Sequence, residues 1–85
     1  MNFQAYDSLA QVQAAQGKSE EAIQLFNHAV QINPNYGPVH LNLAVAYHSL
    51  NQEQKSRYHL NRALALGLQG PVVDQIKSMI FKTPE

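Results

Sequence analysis

Apolar side chains recur three and four residues apart along most of the chain. Tyr6, Leu9 and Ala10 mark one such stretch, and Ala22, Leu25, Phe26, Ala29 and Val30 mark the next; that spacing puts each set on one face of an α-helix. Between them, Gly17-Lys18-Ser19-Glu20-Glu21 interrupts the pattern. Gly17 suits the left-handed backbone that ends a helix, Ser19 is placed to cap the following one, and the two glutamates fall on its positive end. Pro34 halts the second stretch, and Pro38 fits the first turn of a third. The pattern predicts helices over 3–16, 19–32, 37–50 and 53–66. After a turn at Gly67-Leu68-Gln69-Gly70-Pro71, the residues Val72, Val73, Ile76, Met79 and Ile80 define a fifth helix over 71–82, leaving 83–85 as a tail.

The same pattern repeats at a separation of 34 residues. Leu9 meets Leu43, Ala10 meets Ala44, Asn27 meets Asn61 and Ala29 meets Ala63, while Phe26/Leu60, Val30/Leu64 and Ile32/Leu66 agree in class. Asn51 takes the place of Gly17, and asparagine is the next best residue for a left-handed helix end. Two units follow, 3–36 and 37–70, closed by the fifth helix within a single domain spanning 1–85.

Composition narrows the function classes. With 45% hydrophobic and only 14% charged residues, the chain supports a packed core rather than a disordered tail. A core this small holds about 4–13 kcal/mol of stability. Six basic residues offset six acidic ones, with no Lys/Arg cluster along the sequence, which argues against a nucleic acid or an anionic membrane as partner. No apolar run reaches the ~20 residues of a membrane span, and Met1-Asn2-Phe3-Gln4 does not open a signal peptide. The lack of cysteine rules out disulfides and thiolate metal sites and leaves the compartment undetermined.

The arrangement resembles the tetratricopeptide repeat, whose period is about 34 residues and whose pattern runs aromatic, Leu-Gly, Tyr, Ala, Phe, Pro. The first unit offers Tyr6, Leu9-Ala10, Ala22, Phe26 and Pro34, with Gln13 in the tyrosine place. The second offers His40 in the aromatic place, then Leu43-Ala44, Tyr47, Ser56 and Leu60, with Leu68 where proline ends the pattern. The resemblance covers about residues 3–82 and implies an all-α superhelix of antiparallel helix pairs, five helices in all, the last a capping helix. Small residues at Ala10, Ala22, Ala29, Ala44, Ser56 and Ala63 let helix axes approach to about 8–9 Å. Leu9, Phe26, Leu43 and Leu60 are expected to fill the space between pairs.

In this family the first helix of each pair lines a concave face where peptides or partner helices dock. Here that face is expected to carry Gln4, Asp7, Ser8, Gln11, Ala14 and Ala15 from the first helix. The third contributes Pro38, Leu41, Asn42, Val45, His48 and Ser49. The set is neutral apart from Asp7, with Leu41 and Val45 as apolar anchors. Family members that clamp acidic chaperone tails use Lys, Asn, Asn, Lys and Arg; the matching positions are Asp7, Gln11, Asn42, Val72 and Ile76, so only Asn42 agrees and a carboxylate clamp is not expected. A competing reading has Leu41 and Val45 covered by another part of this chain or of a longer one.

Other constellations carry no chemistry of their own. His28, His40, His48 and His59 are read as isolated: His40 and His48 lie about 12 Å apart along a helix, and no pair has the i,i+4 spacing of a helical metal site. Adjacent Glu20 and Glu21 point about 100° apart, and the serines lack a nucleophile elbow. The expected function is therefore non-enzymatic, without cofactor or metal: an interaction module that binds another protein. Alternatives are a self-assembling homo-oligomeric unit, a C-terminal excerpt of a longer array that leaves Phe3 at an open edge, or a regulatory domain of a longer enzyme.

Overall fold

A computed structural model describes residues 2–82 of the chain as five helices: α1 (Phe3–Ala15), α2 (Ser19–Ile32), α3 (Gly37–Ser49), α4 (Glu53–Ala65) and α5 (Pro71–Phe81). No strand occurs among the described residues. The tail expected at 83–85 lies outside them. No described helix is long and apolar enough to cross a membrane. α1 packs on α2 and α3 on α4, the two pairs meet through α2 and α3, and α5 lies on α3 and α4. The helix α3 thus touches all four others.

Three helices end in the same way. At α1, the N–H of Gly17 donates to the carbonyl of Ala14 and that of Lys18 to Gln13. At α3, Asn51 donates to His48 and Gln52 to Tyr47; at α4, Gly67 donates to Leu64 and Leu68 to Ala63. Each closure satisfies carbonyls that a helix end leaves open, and each needs one residue at positive φ: Gly17 at +80°, Asn51 at +61° and Gly67 at +91°. Gly67 therefore ends α4, and the N–H of Leu68, which a proline in its place would lack, completes the stop. Helix starts are plainer. Asn2 accepts from the N–H of Ala5 at 2.9 Å, and Pro71 opens α5.

Ala10, Ala22, Ala29, Ala44, Ser56 and Ala63 are all fully buried, which is how the helix pairs close up. Ser56 ties the second pair directly, its hydroxyl donating to the Ala44 carbonyl at 2.7 Å. One core cluster joins Ala10, Ala22, Ile23, Phe26, Ala29, Val39, Leu43 and Ala46; a second joins Ala44, Leu60 and Ile80, with Leu41, Leu64 and Ile76 packed against it.

Several expectations change. Ser19 does not cap α2: Lys18 holds the cap position with no side-chain bond, and the Ser19 hydroxyl is engaged with Ser49 instead. Leu9 does not fill a space between pairs; it is 44% exposed, whereas its counterpart Leu43 is buried because α2 lies against α3. Phe3 is not left at an open edge, since its ring meets that of Tyr36 edge-on with centroids 4.9 Å apart. The histidines are not all isolated: His40 pairs with His59, and a carboxylate, Glu53, reaches His48.

Candidate functional site: a hollow between the first and third helices

A hollow of about 320 Å³ opens between α1 and α3, lined by Gln11, Ala14, Ser19, Phe26, Asn42, Val45, Ala46 and Ser49. Its floor follows from the small residues. Where Ala14 and Ala46 stand on facing helices there is no side chain to fill the gap, so the buried ring of Phe26 from α2 forms the base. Gln11, Asn42, Ser19 and Ser49 supply amides and hydroxyls around an otherwise apolar surface.

Hydrogen bonds fix these polar groups. Asp7 spans the two helices: one carboxylate oxygen accepts from the Gln11 amide at 3.1 Å and the other from the Asn42 amide at 3.3 Å. The fixed negative charge is thereby occupied by its own neighbours. On the other side, the Ser49 hydroxyl donates to the Ala46 carbonyl at 2.7 Å, so it is Ser19 that donates to the Ser49 oxygen, at 2.9 Å. This pair closes the hollow where α2 begins. What faces an occupant is neutral: the remaining amide and hydroxyl sites, Val45, Ala14 and the Phe26 ring.

Of the residues expected on this face, Gln11, Ala14, Asn42, Val45 and Ser49 line the hollow, and Asp7 supports it from behind. Gln4, Ser8 and Ala15 are exposed on α1 outside it. Pro38 stands at the start of α3, away from the lining. His48 is half-buried with Nδ1 at 3.1 Å from the Glu53 carboxylate, a contact between the end of α3 and the start of α4. Leu41 packs with Ile76, Ile80 and Leu64 under α5, so the reading in which the chain covers this residue holds for Leu41 and not for Val45. Phe26, Ser19 and Ala46 were not anticipated here: Phe26 was read as filling the space between pairs and Ser19 as a cap, and Ala46 was given no role. Ile76 likewise turns inward, which removes it from any clamp.

A second polar group lies between α3 and α4. Buried His40 places Nε2 at 2.8 Å from the Pro34 carbonyl and Nδ1 at 3.1 Å from Nδ1 of His59. A carbonyl only accepts, so His40 carries its proton on Nε2; with both rings neutral, His59 donates to His40. The ring centroids are 5.3 Å apart, close to the largest separation that the nitrogen distance permits, so the rings meet edge to edge. That in-line geometry suits a proton between the nitrogens. Burial, then the neighbouring His40 and Arg62, push the His59 imidazole from 6.5 down to about 4. Tyr47 stacks on the same ring at 5.6 Å, and Tyr58 meets it edge-on at 5.0 Å. No group of three or more metal-ligating side chains gathers among the described residues.

Set beside known protein families, residues 13–80 match the model described as the tetratricopeptide repeat. No curated protein matches the chain.

Proposed function

The chain belongs to the tetratricopeptide repeat family, and from that premise we propose that it is a non-enzymatic interaction module whose hollow between α1 and α3 receives a segment of another protein. Repeats of this family mediate protein–protein interaction. The observation that carries the assignment to this face is the Asp7 bridge: with its carboxylate held by Gln11 and Asn42, the surface presents neutral polar groups around Val45, Ala14 and Phe26. A surface of that kind favours an uncharged peptide with a small apolar side chain for the hollow and main-chain amides for the rim. It disfavours an acidic tail, for which the lining offers no cation.

A random-peptide display library panned against the chain, and against Ala14→Glu with Val45→Glu, tests this. Neutral peptides with one small apolar anchor are expected to be enriched and to lose about tenfold or more in affinity for the variant, whose helical circular dichroism stays unchanged. Peptides that bind both proteins equally would move the site elsewhere.

A further inference from the structure

The array has an unpartnered apolar stripe near each end, and its internal repeat shows that the counterpart of one of them is covered by a packed helix. A shift of 34 residues carries Ala5, Leu9 and Val12 of α1 onto Val39, Leu43 and Ala46 of α3. In α3 this stripe is closed over, packed in one core with Ala22, Ile23, Phe26 and Ala29 of α2. In α1 the equivalent stripe is open, with Val12 52% exposed beside the exposed Leu9. At the other end, α5 turns Val73, Ile76 and Ile80 inward and leaves Val72 62% and Met79 42% exposed. Seven residues apart, these two lie along one line of the helix. The helices α1 and α5 do not touch, and the molecule is 44 Å long.

Charge distinguishes the ways these stripes could pair. Residues 3–36 hold three carboxylates, Asp7, Glu20 and Glu21, against the single cation Lys18, a net of −2. Residues 37–82 hold two, Glu53 and Asp74, against five cations, Lys55, Arg57, Arg62, Lys77 and Lys82, a net of +3. Two α5 helices face to face would bring together two halves of the same positive sign. An α5 laid on α1 brings halves of opposite sign together instead.

We propose that copies of this chain associate head to tail, the Val72/Met79 stripe of one α5 lying on the Ala5/Leu9/Val12 stripe of α1 in the next copy. The two surfaces differ, so each copy keeps one free end after pairing and growth continues without closing. The stripes are short, well below the roughly 1,200–2,000 Å² of a standard interface, so assembly belongs to high protein concentration and weakens with salt.

Sedimentation velocity over a dilution series in low and high salt reads this directly. The weight-average mass is expected to rise about twofold or more with concentration at low salt, past the dimer and less in high salt. Leu9→Glu with Val12→Glu removes only the head, and Val72→Glu with Met79→Glu only the tail. All four side chains are exposed, and circular dichroism checks that both variants fold. Each variant alone is expected to stay monomeric, while their mixture forms a one-to-one dimer and nothing larger. A parent chain that is monomeric throughout overturns the proposal and leaves the α1 stripe to a helix from a different chain. A headless variant that still dimerises overturns it in favour of paired α5 helices.

Discussion

The proton shared at His40 and His59 gives the chain a pH dependence that a single side chain can test. His59 is held down to about 4 in the folded protein and returns to 6.5 on unfolding. The unfolded state therefore binds the extra proton first, so this contribution is intact above pH 6.5 and is lost as pH falls toward 4. The ring is only about half-buried; after solvent screening, on the order of 1 kcal/mol remains, or about 4–8 °C in melting temperature. Because the loss is complete only toward pH 4, thermal melts at pH 7 and pH 5 are expected to differ by about half that amount in the parent and by clearly less in His59→Gln, whose amide keeps a donor for His40. An equal drop in both would place the pH dependence elsewhere. None of this pairing was legible from spacing along one helix, because His40 and His59 stand on antiparallel helices 19 residues apart. The Ser19–Ser49 contact, 30 residues apart, escaped for the same reason. By contrast, the buried alanines were legible, since a residue without a side chain beyond Cβ has few reasons to recur at 34 other than close helix approach.

At the scale of elements, helix ends were the most readable feature and the facing of α3 the least. Gly17 and Asn51, one period apart, both adopt the left-handed backbone expected of them. Asn51→Ala is expected to cost about 1 kcal/mol, whereas Asn51→Gly is neutral or slightly stabilising; chemical denaturation with an unchanged m-value separates the two. Equal stability of both would mean that φ at this turn relaxes freely. The facing of α3 was obscured because Pro38, Val39, Leu41, Leu43, Ala44, Val45 and Ala46 leave it no polar face to orient it. Only the position of α5 decides that Leu41 is covered and Val45 is not. A charge at Leu41 would therefore disturb the core rather than report on the hollow.

For the whole molecule, α5 is a structural requirement as much as an end piece. Val73 and Ile80 are buried, and each contributes about 1.5–3 kcal/mol by burial, a large share of the roughly 4–13 kcal/mol available to a chain of this length. Truncation after Gly70 also uncovers Leu60 and Ala44, so the shortened chain is expected to melt about 10 °C lower or more, or to lose its cooperative transition; a preserved melting temperature would show that two pairs suffice. The main-chain closures at Gly17, Asn51 and Gly67 bear on how such a molecule arises. Each is complete within its own turn and asks nothing of a neighbouring helix, so a stretch bounded by such turns is a self-contained cassette. Gene duplication can copy it intact, and differences between the units at other positions, such as Leu68 against Pro34, leave its punctuation unharmed.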